Sequence, residues 1–245
     1  MKVILAELTP FLYNPAMICF SSVTKYYGKG HQRKKVLDEI SFIIQNGEFV
    51  SVVGPSGAGK TTLINEMIGA DRPNEGSILS NDFNIAKATP DELQEYRRKI
   101  GVVFQDYKLL PQKTVFENIA FALEVCGYSK YEISRLVTEV MRKTGLEDHR
   151  NKYPRQLSGG ERQRTAIARA LVHSPEMLIA DEPTGNLDNE NAKQIVDLLL
   201  KINQEGTTII FASHNKEIVD MLRRRVIKLK DGKIVSDKKE AAYSE

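Results

Sequence analysis

The sequence predicts an α/β fold built on a parallel sheet, with a helical subdomain inserted into it. Three observations carry that reading. Phe49-Val50-Ser51-Val52-Val53, Met177-Leu178-Ile179-Ala180 and Thr207-Thr208-Ile209-Ile210-Phe211-Ala212 are short, nearly continuous apolar runs, the pattern of strands covered on both faces. Helical periodicities lie between these runs, which favours parallel strands joined by crossover helices. From about Tyr107 to Ser158 no strand run occurs. Within that span Ile133, Leu136, Val137, Val140 and Met141 fall on one face of an amphipathic helix.

Taken in order, residues 1–16 carry prolines at Pro10 and Pro15 and an isolated Glu7, with neither a strand nor a helix period. They are expected to lie outside the fold, with Met17 as a possible start. The same interruptions argue against a signal peptide, and no stretch approaches eighteen apolar residues. Asn46-Gly47, between Ser41–Ile44 and Phe49–Val53, predicts a hairpin. Asp231-Gly232, between Val226–Leu229 and Ile234-Val235, predicts a second. The domain is expected to end near residue 236, with 237–245 a polar tail.

Composition narrows the class. Of 245 residues, 41% are apolar and 27% charged, which excludes wholesale disorder and a polytopic membrane protein. The net charge of +3 gives no electrostatic case for nucleic acid. Cys19 and Cys126 have no metal-site spacing, fit a reducing compartment and are expected to act as small buried hydrophobes. The four histidines make no zinc pattern.

Gly54-Pro55-Ser56-Gly57-Ala58-Gly59-Lys60-Thr61 matches the phosphate-loop pattern without a gap, between a strand run and a helical one that opens at Thr62. Small residues let successive backbone N–H groups turn inward on phosphate oxygens. Lys60 is placed to neutralise the β- and γ-phosphates, and the Thr61 hydroxyl to ligate Mg²⁺. Asp181 and Glu182 close the Met177 run. Beside a phosphate loop, a strand-terminal Asp can hold Mg²⁺ and its neighbour can polarise the attacking water, which points to hydrolysis. Leu157-Ser158-Gly159-Gly160-Glu161 precedes a helical pattern, so Ser-Gly-Gly lies at a helix N-terminus, where anions are stabilised. Two basic clusters, one around Arg33–Lys35 and one at Arg223–Arg225, read as solvated faces.

With these segments in hand, the chain resembles the ATP-binding-cassette (ABC) family over about residues 18–236. Tyr27, the phosphate loop, Gln105, Leu157–Glu161, Asp181-Glu182, Gly185-Asn186-Leu187-Asp188 and His214 stand in that family's order. The resemblance implies a P-loop NTPase core with an antiparallel β subdomain, together spanning 17–236, and a helical subdomain at about 107–170. It implies an ATPase that uses ATP and Mg²⁺ as two stacked copies in the ATP-bound state. Ser158, Gly159 and Gly160 of one copy would then complete the site on Lys60 of the other. Gln105 would sense Mg²⁺ and the lytic water, Glu182 would be the base and His214 would contact the γ-phosphate. Asp188 would communicate across the dimer. Tyr27 would stack on adenine, with Tyr26 as the alternative.

Within the family, Ile100–Pro111, continuing through Thr114–Ala120, is most similar to the cell-division ATP-binding subunits, and Asp181–Asp188 is shared with lipoprotein-release and macrolide-export ATPases. The implied setting is the cytoplasmic face of the cell membrane, where an integral membrane subunit docks near Leu109, Leu110, Pro111 and Phe116, with Val115 and Ile119 read as part of the same apolar surface, and the division ring is within reach. An exporter or lipoprotein-release ATPase is the alternative. A chromosome-maintenance ATPase is disfavoured because only about a hundred residues, without heptads, separate Lys60 from Ser158. A translation-type member is disfavoured because the chain carries one cassette.

Overall fold

The computed structural model describes residues 16–28, 30 and 33–239. Two long antiparallel strands, β1 (Ala16–Tyr27) and β2 (Lys34–Gln45), pair from Ala16↔Gln45 to Tyr27↔Lys34, with the register shifting at irregularities along the way. β3 (Phe49–Val53) leads into the phosphate loop and α1 (Lys60–Met67). Next come β4 (Glu75–Ser80), β5 (Phe83–Asn84), α2 (Pro90–Arg97) and β6 (Ile100–Val103). Three helices follow, α3 (Val115–Val125), α4 (Lys130–Thr144) and α5 (Gly159–Leu171). The chain then alternates β7 (Met177–Asp181), α6 (Asn189–Gln204), β8 (Thr208–Ser213) and α7 (Lys216–Leu222), and closes with β9 (Arg225–Lys230) and β10 (Lys233–Lys238).

The strands form two sheets. One is antiparallel, in the order β2-β1-β4-β5. The other runs β10-β9-β3-β8-β7-β6, parallel throughout except for the β9–β10 pair. The parallel sheet lies between two cores. Val50, Val52, Ile179, Ile210 and Ala212 pack with the antiparallel sheet, α1 and α2. Phe49, Val53, Leu178, Ala180, Ile209 and Phe211 pack with α3 to α7. Alternate residues of one strand thus serve opposite faces, which is why these runs read as continuously apolar.

The Asn46-Gly47 expectation needs correction. A tight turn is present, with Glu48 N–H donating to Gln45 O at 3.2 Å, yet β2 and β3 do not pair. The turn passes the chain from one sheet to the other. The Asp231-Gly232 hairpin forms as expected, Lys233 facing Lys230. β6 is a strand that the patterns did not mark, since Gly101 interrupts its apolar run.

In the 107–158 span α4 buries Ile133, Val137, Val140 and Met141 and leaves Leu136 partly exposed. Ser129 caps α4 in a reciprocal box with Glu132, and Gly145 ends it in the left-handed region at φ 66°. At the far end β10 continues through Asp237 and Lys238, beyond the expected boundary at 236. Asp237 is held by Arg225 at 2.7 Å, and Arg225 also pairs with Glu48 at 3.0 Å. Of the 1–16 segment only Ala16 is described, opening β1; the expectation for the rest falls outside the described residues. Cys19 and Cys126 are free thiols, half-buried rather than buried.

Candidate functional site

Four strand ends converge. The phosphate loop follows β3, Gln105 follows β6, Asp181 ends β7 and His214 follows β8, all at the carboxyl edge of the parallel sheet. Their side chains line one cleft of about 530 Å³ with Ser56, Gly57, Gly59, Lys60, Thr61, Thr62, Glu182 and Val36. Val36 is the member that sequence reasoning missed. It belongs to β2 and carries no motif, so only the crossing of the antiparallel sheet over the loop could reveal it. Gly59, at φ 108°, sits where any Cβ would lie 3.0 Å from the Val36 carbonyl oxygen.

Lys60 is buried and its ammonium donates to Gly54 O at 2.8 Å and Pro55 O at 3.3 Å. It also lies 3.7 Å from Glu182 Oε1. Glu182 takes φ 50°, a left-handed backbone that costs a side-chain-bearing residue about 1–2 kcal/mol. That turn directs its carboxylate inward. His214 Nδ1 is 2.8 Å from Glu182 Oε1, and the His214 backbone N–H donates to Oε2 at 3.3 Å. A carboxylate only accepts, so Nδ1 carries the hydrogen in this pair. Asp181 is half-buried beside them. Burial, and then the Glu182 charge, push its carboxyl above the ordinary range, while Lys60 and the Thr61 hydroxyl pull it back. The Gln105 carbonyl accepts from Asn186 Nδ2 at 3.0 Å, tying the loop after β6 to the segment after Glu182.

Several expected residues do not line this cleft: Gly54, Pro55 and Ala58 of the loop, the Ser158–Gly160 turn, Asp188 and Tyr27. Ser158 caps α5, its hydroxyl accepting from Glu161 N–H at 3.2 Å, while Glu161 Oε2 accepts from Ser158 N–H at 2.6 Å. Gly159 and Gly160 form the first turn, and a Cβ on Gly160 would lie 2.3 Å from Asn191 Oδ1. None of the three lines the cleft of their own chain. Asp188 caps α6 through Asn191 N–H at 2.9 Å. Tyr27 is 41% exposed, its phenol donating to Asp71 Oδ2 at 2.6 Å beside Thr62. The Tyr26 ring is covered by the Arg33 guanidinium at 3.9 Å.

The loop after β6 also departs from expectation. Val115 and Ile119, read as part of an apolar surface, are fully buried, and Leu109 and Phe116 pack partly against the helical core. Leu110 is half-buried, its N–H donating to Asn118 Oδ1 at 2.7 Å, and Pro111 is exposed.

Comparison with known sequences matches residues 37–185 to the ABC transporter family. The chain belongs to that family. This chain is thus an ABC ATPase and hydrolyses ATP. Among curated relatives, the cell division ATP-binding protein FtsE of Bacillus subtilis (strain 168) is 48% identical over 227 residues, covering 93% of this chain and 98% of FtsE. The methionine import ATP-binding protein MetN of Clostridioides difficile (strain 630) is 40% identical over 89% of this chain. Among solved structures, the post-hydrolysis dimer of the ATP-binding cassette MJ0796 bound to ADP and Pi has a TM-score of 0.83. It is 36% identical and covers 93% of this chain and 100% of that one. Among the described residues, no helix of this ABC ATPase is long and apolar enough to cross a membrane. Nor do any three His, Cys, Asp or Glu side chains there cluster as a metal site.

Proposed function

We propose that this chain is the ATPase subunit of an FtsE–FtsX-like complex, coupling ATP binding and hydrolysis to a conformational change of a transmembrane partner in cell division. The hydrolytic reading is carried by one observation, Glu182 held between Lys60 and the His214 imidazole at the edge of the phosphate loop. The division reading is supported by the near-complete mutual coverage with FtsE. The chain would work at the cytoplasmic face of the membrane through that partner, with no role for nucleic acid.

In this reading the backbone N–H groups of Ser56, Gly57 and Gly59–Thr62 cradle the phosphates and Lys60 exchanges its loop carbonyls for phosphate oxygens. Glu182 accepts the proton of the attacking water as the oxygen closes on the γ-phosphorus and the bond to ADP breaks. His214, oriented by its bond to Glu182, presents its other face to the γ-phosphate. Thr61, Gln105 and Asp181 offer hard oxygen donors along one wall. The Asp181 carboxyl, held high by burial, is a group that a divalent cation would keep ionised. This set fits Mg²⁺, which takes few protein ligands and fills its shell with phosphate and water. When bound, the ion offsets charge on the β- and γ-phosphates.

Tyr27, free of the cover that Arg33 places on Tyr26, packs on adenine. Ser158, Gly159 and Gly160 reach ATP from a second copy, since they stand outside their own cleft. The MJ0796 structure, a dimer bound to ADP and Pi, supports that arrangement. The partner docks on the loop after β6 at Leu110 and Pro111, with Leu109 and Phe116 beneath; the 17–236 domain and its 107–170 helical part form the unit that moves.

Co-expression with a membrane subunit, on protein carrying Glu182→Gln or Leu110→Glu, tests both halves. Glu182→Gln is expected to bind ATP and lose turnover by roughly 10²–10⁴-fold. Leu110→Glu is expected to fold and hydrolyse ATP alone but to lose the membrane subunit on purification. Near-normal turnover by the first, or retained partner by the second, would overturn the respective half. A partner that carries a translocation path would favour the exporter reading.

A further inference from the structure

Among the described residues, one poorly accommodated buried polar group is a carboxyl outside the cleft. Glu66, in the last turn of α1, is 0% exposed, and neither of its oxygens has a hydrogen-bond partner. The charged and titratable groups facing it are Lys25 and Tyr27 from β1 and Asp71 from the segment after α1. Lys25 is itself 7% exposed and is already committed. Its ammonium donates to Asp71 Oδ1 and to Arg72 O, each at 2.5 Å. Asp71 Oδ1 also accepts from Arg72 N–H at 2.8 Å, and Oδ2 accepts from the Tyr27 phenol at 2.6 Å. The Lys25 ammonium lies 5.3 Å from the centre of the Tyr27 ring. One carboxylate, fixed at one oxygen by a buried cation and a backbone amide, therefore holds the ring with the other.

We propose that Asp71 is a positioning residue for the nucleotide base, tethering Tyr27 through its phenol, and that Glu66 is the proton-linked group that sets the strength of this tether through Lys25. The inference rests on the assignment of Tyr27 to the base. A tyrosine at an exposed strand end would otherwise be free to rotate about two torsions, and ordering it on binding would cost affinity. The tether removes that freedom in advance. While Glu66 is neutral, Lys25 stays bonded to Asp71 and the Arg72 carbonyl. When Glu66 ionises, a second buried carboxylate competes for the same ammonium and repels Asp71, and the hold on Tyr27 loosens. Burial pushes the Glu66 carboxyl up from an ordinary 4.5 to about 7, so this exchange falls within the neutral range.

The test is the ratio of two dissociation constants measured by calorimetry on the full chain, ATP against inorganic tripolyphosphate. The second ligand occupies the phosphate loop and has no base. Tyr27→Leu is expected to weaken ATP and spare tripolyphosphate; an unchanged ratio would remove the base assignment, and this inference with it. Tyr27→Phe keeps the ring and the fold and removes only the tether. It and Asp71→Ala are expected to weaken ATP alone by about three- to tenfold, the scale of ordering one side chain. If Tyr27→Leu acts while Tyr27→Phe does not, the base assignment stands and the positioning role of Asp71 is overturned. For the proton link, the ratio in the native protein is expected to fall against ATP between pH 6 and pH 8 and to stay flat in Glu66→Gln. The same slope in both proteins, a flat native profile or a slope of the opposite sign would overturn the role of Glu66.

Discussion

Glu66→Leu should stabilise this protein, and by an amount that depends on pH. In the folded chain the Glu66 carboxyl keeps its proton up to about pH 7, whereas in the unfolded chain it releases it near 4.5. Between those values the folded state binds more protons, so stability falls as pH rises, and the full penalty is present above pH 7. A gap of that size corresponds to about 3 kcal/mol at about 1.4 kcal/mol for each pH unit. Leu removes the ionisable group and keeps a side chain of similar reach on a helix where Leu63, Ile64 and Met67 are also buried. Below pH 5 only the smaller cost of a neutral, unpartnered carboxyl is relieved, about 1–2 kcal/mol. Thermal melts at pH 5 and pH 8 should therefore show a gain over the native protein that widens with pH. For a chain of this length the widening corresponds to roughly 5–10 °C. A gain that is equal at the two pH values, or a variant less stable at pH 8, would refute the reasoning, because either result means that Glu66 ionises without penalty or that Lys25 already neutralises it.

Three further outcomes are expected. Lys60→Ala should lose ATP affinity by more than tenfold, as loss of a charge-assisted contact of about 1.5–3 kcal/mol implies, while Glu182→Gln retains it; equilibrium binding separates the two. Ser158→Arg should leave ATP binding to the single chain intact and abolish ATP-driven dimerisation of the Glu182→Gln protein in sedimentation, since Ser158 lies outside its own cleft; a dimer that persists would place the second copy elsewhere. Arg225→Ala leaves Glu48 and Asp237 facing each other without their shared cation, and should cost about 2–4 kcal/mol in denaturant unfolding; an effect below 1 kcal/mol would show that the Arg225 network does not anchor β10.

The local geometry of the motifs in this chain was legible wherever they are contiguous. The phosphate loop, the capped Ser-Gly-Gly turn and the adjacent acids at a strand end each occupy a few successive residues whose backbone geometry follows from local composition. Gly59 and Ser158 adopt the roles that their types dictate. The apolar runs of β3, β7 and β8 likewise announced strands buried on both faces. Pairing is a different matter, because a strand takes whichever neighbour the rest of the chain provides. Asn46-Gly47 makes the tight turn that its residues favour, but β2 finds β1 and β3 finds β8 and β9, so no hairpin results. The same holds for the surface after β6, where Val115 and Ile119 are covered by helices whose arrival no local pattern announces. Glu66 is the sharpest instance. On a helix it reads as a solvated acid, and only the arrival of Lys25 and Asp71 from separate parts of the chain, under a sheet that closes over α1, turns it into a buried group with a proton to hold. Local sequence fixes backbone conformation and chemical type; burial and partnership depend on contacts between residues far apart in the chain, and those are settled when the layers pack.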